Sequence, residues 1–226
     1  MKLNGKDLFE VYGARITQFT EQPLFMSKEV FYPKGKLMPV VLDKVVQAKQ
    51  MYLELDFRDK EQISKLLPEV VEEFVLELDY EPEYEYRCQV LNMGNNVVMD
   101  DYDSYTVGFD VLVVKEKPNV NVILQSLAEQ SFENEGTYES NAQYTITASA
   151  DIENFVINDI TINKMTSNET IIIDGEKKLI VFGNGNNAFD RCELYEFPKV
   201  QPGNNQVTMT NYENVSVQVN YKPVFF

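Results

Sequence analysis

The sequence predicts a mainly β protein with minor α, built as two domains. Three observations predict it. Several runs alternate apolar and polar residues with period two, Gly, Pro, Asn and Asp cluster between those runs, and one segment carries a clear helix start. Strands with one wet face and a helix in the first half, then closely spaced strands in the second, read as an α+β N-terminal domain followed by a β-sandwich.

Leu3 to Thr17 mixes short apolar alternation with Gly5 and Gly13 and predicts one or two short strands with a tight turn. Glu21 to Val46 behaves differently. Pro23, Pro33, Gly35 and Pro39 punctuate a segment rich in Leu24, Phe25, Met26, Val30, Phe31, Tyr32, Leu37 and Met38. It is too irregular for a helix and too apolar for an idle loop. Two readings stand: an arm that packs on another molecule, or an edge strand folded onto its own core.

Gln50 to Phe57 places Met51, Leu53, Leu55 and Phe57 on one face and Tyr52, Glu54 and Asp56 on the other, a strand with one solvated face. Asp59, with Gln62 at the box position, predicts a helix through Ile63, Leu66 and Leu67, with Pro68 as its stop or kink. Strands are expected again around Phe74 to Leu78, at Arg87 to Leu91 and at Tyr105 to Val114, with a turn at Gly94-Asn95-Asn96. Pro118 to Glu139 reads as a connection with a short helix at Val122 to Glu129. The predicted domains are therefore 1–130, with an arm at about 21–46, and 131–226.

The second series begins with alternation at Tyr144 to Ala148 and at Phe155 to Ile162. Thr170 to Ile173 runs into Asp174-Gly175, a hairpin signal ahead of Leu179 to Phe182, and Gly183-Asn184-Gly185-Asn186-Asn187 is a further turn. Phe197-Pro198-Lys199-Val200-Gln201-Pro202-Gly203-Asn204-Asn205 removes two backbone donors and then turns, before Gln206 to Met209 alternates once more. This spacing suggests a jelly-roll or galectin-like sandwich.

Composition narrows the function. The chain has 226 residues, 44% of them hydrophobic, enough to bury real cores. No run reaches the roughly 20 apolar residues of a membrane helix, so membrane insertion is not expected. The start, Met1 to Asp7, lacks the apolar core of a signal peptide, and the expectation is a protein that stays soluble where it is made. There is no histidine, which excludes Ser-His-Asp and Cys-His catalysis and the usual His-containing metal sites. Cys88 and Cys192 are expected to be reduced and inert. The net charge is −16. Residues 1–50 carry eight basic and five acidic side chains, whereas residues 51–110 carry sixteen acidic and four basic ones. Tight DNA binding is not expected from such a surface.

Candidate chemistry is sparse. Asp100-Asp101-Tyr102-Asp103 is a candidate calcium loop without the glycine and terminal Glu of an EF loop, and reads better as a solvated turn. Gly183-Asn184-Gly185-Asn186 has no helix pattern after it and reads as a hairpin tip, not a phosphate cradle. Glu72/Glu73 and Glu83/Glu85 are acidic pairs that specify no cleft. No catalytic residue, no metal ligand and no cofactor is assigned, and the chain is not expected to be an enzyme.

Leu3-Asn4-Gly5-Lys6 with Tyr12-Gly13, the arm, Val107 to Val114, Phe132-Glu133-Asn134-Glu135-Gly136-Thr137, Ile171 to Gly175 and Phe197 to Val207 follow one another in the order seen in a known family. Over nearly the whole chain the pattern resembles the distal tail proteins of siphophages and prophages. One departure is Glu116-Lys117-Pro118, where the family often has Asp-Pro-Tyr. The resemblance implies a structural baseplate-hub protein of the virion tail tip, assembled in the bacterial cytoplasm. It implies a homohexameric ring that joins the tail tube protein to a tail-tip protein and a receptor-binding protein, with transient DNA passage. Leu24, Phe25, Met26, Phe31, Tyr32, Leu37 and Met38 are the expected oligomer interface; the channel lining is not assigned. The rival reading is a lectin-like module contacting the host surface, with Tyr144, Tyr195, Tyr212 and Tyr221 as stacking platforms.

Overall fold

Period-two alternation in the strand Lys49–Phe57 turns Met51, Leu53, Leu55 and Phe57 to one side, and all four are buried. They face the strand Ser104–Glu116 in antiparallel register, Leu53 opposite Phe109 and Leu55 opposite Val107, so two apolar rows meet on one face. The computed structural model describes residues 1–21, 26–31, 40–46, 49–93, 98–100, 104–125 and 127–226, the backbone alone for 26–31, 40–46 and 98–100. The predicted turn at Gly94-Asn95-Asn96 lies outside the described residues, as do Asp101 to Asp103 of the candidate calcium loop.

The chain divides into two units, Met1–Lys115 and Glu116–Phe226. In the first, the main path of the sheet runs through seven strands in the order Lys6–Asp7, Lys2–Leu3, Phe74–Glu77, Glu85–Met93, Ser104–Glu116, Lys49–Phe57, Ala14–Glu21, and Val98–Asp100 also pairs with Ser104–Glu116. The helix α2, Lys60–Val70, starts where the sequence predicts it: the Asp59 side chain accepts a hydrogen bond from the Glu61 N–H at 2.9 Å. Ile63, Leu66 and Val70 form its buried stripe. Pro68 sits in its last turn, and the helix ends two residues later.

The start of the chain differs from the expected strands and turn. Between the two-residue strands and Ala14–Glu21 lies a helix, α1, Leu8–Tyr12. Asp7 caps it, and Gly13, at φ 59°, closes it with its N–H on the Phe9 carbonyl at 3.0 Å. Leu8 and Tyr12, four apart, supply its buried face.

The second unit is a sandwich of two antiparallel sheets. One orders Val120–Leu124, Val215–Tyr221, Ser140–Ala148, Thr170–Asp174, Leu179–Phe182; the other orders Glu129–Asn134, Gly203–Thr210, Ile152–Ile157, Ile160–Met165, Cys192–Leu194. Ile146, Ile171, Ile173 and Val219 from the first pack in one core with Phe155, Ile157, Ile162 and Met165 from the second, each fully buried. Its two ends are tied together. The Lys117 N–H donates to the Pro223 carbonyl at 3.0 Å, and the Lys117 ammonium pairs with Glu135 at 2.7 Å.

Two elements of this unit correct the sequence reading. The expected helix at Val122 to Glu129 is instead the end of one strand, Val120–Leu124, and the start of another, Glu129–Asn134, because β-branched Val120, Val122 and Ile123 pair with Val215–Tyr221. These two strands belong to the sandwich, so the second unit begins at Glu116, ahead of residue 131. Phe155 to Ile162 is not one strand but a hairpin, broken at Asn158-Asp159, with Asn158 in the left-handed region at φ 49°.

Candidate functional site

The arm is a β-hairpin. Met26–Phe31 pairs antiparallel with Val40–Val46, from Met26 opposite Val46 to Phe31 opposite Val40, with a bulge at Glu29/Val30. The two strands form a sheet of their own among the described residues. A free two-stranded hairpin is marginal in water, and its outer edges are unpaired templates for another chain. Of the predicted interface residues, Met26 and Phe31 stand at opposite ends of the first strand. Leu24, Phe25, Tyr32, Leu37 and Met38 lie outside the described residues.

The segments that carry the resemblance in the second unit meet one another. Asn134, 1% exposed, accepts from the Gly136 N–H at 3.0 Å and donates to the Gln201 carbonyl at 3.3 Å. Asn205 donates to that same carbonyl at 2.7 Å and accepts from the Gln201 N–H at 2.8 Å. In the strand register Asn134 lies opposite Gly203, whose φ of 79° only glycine adopts freely. The Pro198 carbonyl accepts from the Ala142 N–H at 3.0 Å, and a Cβ on Gly175 would come within 2.3 Å of that oxygen. The Asn134, Gln201 and Asn205 groups satisfy one another. These motifs hold the sandwich together.

The proposed sugar platforms fare unevenly. Tyr144 and Tyr221 are each 3% exposed, and burial pushes the Tyr144 hydroxyl up to about 12. Their rings are core and cannot stack on a saccharide, which corrects that assignment. Tyr212 is half-buried against the same core, and Tyr195 alone stands out at 94% exposure. A separate shallow cleft of about 520 Å³ opens beside the Gly183–Asn187 turn, lined by Asn168, Glu169, Phe182, Asn184, Asn186 and Arg191 among others. Three of its lining side chains are engaged: Asn184 accepts from the Asn186 N–H, Glu169 from the Thr166 N–H, and Arg191 lies over the Phe182 ring.

Cys88 and Cys192 are buried free thiols, one in each unit. Burial raises both, that of Cys192 to about 11, with Asp190 adding to it, so neither is a thiolate at neutral pH. Glu72 and Glu73 are exposed side by side just past α2, not facing each other across a cleft.

The solvated face of the first sheet carries Tyr52, Glu54, Asp56 and Asp110. Tyr52 lies over Gly108, where a Cβ would meet its hydroxyl at 2.2 Å, and Glu54 accepts from Thr17 at 2.7 Å. A feature that sequence reasoning misses sits nearby. The exposed Phe9 ring of α1 has the Arg15 guanidinium 4.7 Å and the Arg58 guanidinium 5.1 Å from its centre. Arg58 is distant in sequence from Phe9 and Arg15, so only the fold brings the three together.

Comparison with known proteins supplies the rest. Residues 135–225 match the family model of the siphovirus-type tail component, C-terminal domain. The whole fold is similar to the crystal structure of SPP1 Dit, described as a paradigm of hub adsorption apparatus in phages infecting Gram-positive bacteria. The TM-score is 0.73 at 11% identity, covering 99% of this chain and 98% of that one. Structures of the phage P2 baseplate in its activated conformation, with calcium and with strontium, give TM-scores of 0.48 and 0.49. Each is 8% identical and covers 92% of this chain and 90% of that one. No curated protein sequence matches the chain. Residues 135–225 thus match the siphovirus-type tail component C-terminal domain by sequence, and the chain shares the fold of SPP1 Dit along its full length.

Proposed function

We propose that six copies of this chain close into a ring at the tip of a phage-type tail, joining the tail tube protein above to the tail-tip and receptor-binding proteins below. The observation that carries this reading is the self-paired hairpin Met26–Phe31/Val40–Val46. An apolar hairpin with no third strand among the described residues gains cover by clasping a neighbour, and a head-to-tail clasp repeated around an axis closes a ring. The match of residues 135–225 to the siphovirus-type tail component model supports the same role, as a structural part and not an enzyme. Genome DNA passes through the bore, and the acidic surplus of residues 51–110 keeps phosphate from sticking to it. Assembly takes place in the bacterial cytoplasm, before the tail tip is complete.

Native mass spectrometry of the purified chain tests this directly. The expected result is a hexamer for the intact chain and folded monomers after deletion of residues 24–38. A deletion variant that still runs as a hexamer overturns the clasp. If the carboxylates of 51–110 map to the outer rim of an imaged ring, the acidic bore is wrong.

A further inference from the structure

Two surfaces of the first unit are built as complements. At one, the N-terminal end of α2, Phe9 is 41% and Val11 47% exposed, and the Arg15 and Arg58 guanidinium groups flank the Phe9 ring. Neither arginine has an ion pair among the described residues. Asp56 stands directly across the sheet from Arg15 but makes no ion pair with it. In a chain of net charge −16, two like charges crowd one exposed aromatic ring, neither of them ion-paired among the described residues.

At the other surface, the C-terminal end of α2, Val71 is 76% exposed and is followed by the exposed Glu72 and Glu73. Neither carboxylate has a hydrogen bond or ion pair among the described residues. A helix of 11 residues is about 16 Å long, so one molecule's two surfaces are held apart by α2 itself. The finish of the helix also carries charge that the helix dipole disfavours, Glu72 and Glu73 with no basic residue in the last turn, whereas at its start the Asp59 cap and Glu61 stand beside Arg58 and Lys60.

We propose that the Phe9–Arg15–Arg58 surface of one copy docks on the Val71–Glu72–Glu73 surface of the next. The two are matched in kind: an apolar centre with two guanidinium groups against an apolar centre with two carboxylates. Arginine and aromatic residues are the anchors that protein interfaces favour, and two arginine–carboxylate contacts around an apolar centre fix its register. The contact is heterologous, using different patches on the two partners, so it propagates around an axis in the way the proposed ring requires. It rests on that ring reading, and it adds a second contact to the hairpin clasp.

Charge exchange tests it. In R15E/R58E both patches are negative; in E72R/E73R both are positive. Each variant alone is expected to require at least ~10-fold more protein for half-assembly than the unaltered chain, by native mass spectrometry and light scattering. Each keeps its melting temperature, since all four positions are exposed. An equimolar mixture is expected to regain assembly with the two variants alternating, because every contact then joins a negative patch to a positive one. If each variant assembles as readily as the unaltered chain, or the mixture stays dissociated, the docking is wrong while the ring stands. If the unaltered chain is monomeric at every concentration, the ring itself fails and this contact with it.

Discussion

Two hairpins in this molecule have nearly the same local chemistry and opposite fates. Thr170–Asp174 turns through Asp174, whose carboxylate accepts from the Glu176 and Lys177 N–H groups, into Leu179–Phe182. Its inward residues Ile171, Ile173 and Ile180 are completely buried, and a third strand, Ser140–Ala148, pairs along it. Met26–Phe31/Val40–Val46 is also an antiparallel pair of valine-rich strands, yet it pairs with itself alone among the described residues. Strand propensity forms both hairpins; what differs is where each finds cover. The first is completed by its own chain, and the second, in the proposed ring, is completed by a neighbour.

The largest effect expected from breaking the covered hairpin comes from its core. Ile173→Ala removes a fully buried side chain facing both sheets and is expected to cost about 2–5 kcal/mol. Chemical denaturation followed by circular dichroism measures it. The same readout applied to the arm deletion should show almost no loss in the monomer, and a large loss there would mean the arm is core after all. Gly175→Ala comes next. Its Cβ would press on the Pro198 and Ala142 carbonyl oxygens at 2.3 and 2.7 Å, both backbone atoms that move only with their strands. A loss of about 1–3 kcal/mol is expected. An unchanged denaturation midpoint would show that the hairpin does not depend on this close approach.

The same contrast explains what the sequence shows and what it hides. Strands with one buried face, such as Lys49–Phe57, announce themselves because burial repeats every second residue. Asp59 announces α2 because a cap is local chemistry. Val122 to Glu129 misleads because its strands are decided by distant partners, Val215–Tyr221 and Gly203–Thr210. The alternation from Phe155 to Ile162 runs straight through a turn, since Asn158 takes a left-handed conformation that periodicity does not register. α1 hides because five residues are too few to establish a period. Among the functional surfaces, the apolar arm is legible as composition. The pair of arginines on Phe9 is not, because Phe9, Arg15 and Arg58 come together only when α1 packs beside the sheet. Glu72 and Glu73 are visible in the sequence but read there as an idle acidic pair, since nothing local says that they are exposed beside Val71.

The smallest expected effect separates α1 from the rest of the first unit. The Asp7 carboxylate accepts from the Glu10 and Phe9 N–H groups, each at 2.9 Å, and the bond from Glu10 does most to hold it below its ordinary value of 3.8. A carboxyl depressed by folding stabilises at pH values above its unfolded pKa, and that stabilisation is lost as pH falls through the lower folded value. α1 carries Phe9, so acid should loosen the aromatic centre of the arginine surface before it touches the sandwich. Asp7→Asn keeps a good cap but cannot titrate. Denaturation midpoints measured from pH 5 downward should therefore fall slightly faster for the unaltered chain than for Asp7→Asn once the pH is below 3.8. Asp7→Ala should be weaker than both at pH 5. If the unaltered chain and Asp7→Asn lose stability in parallel, the carboxylate is not what holds this helix, and the positioning of Phe9 must come from the burial of Leu8 and Tyr12 instead.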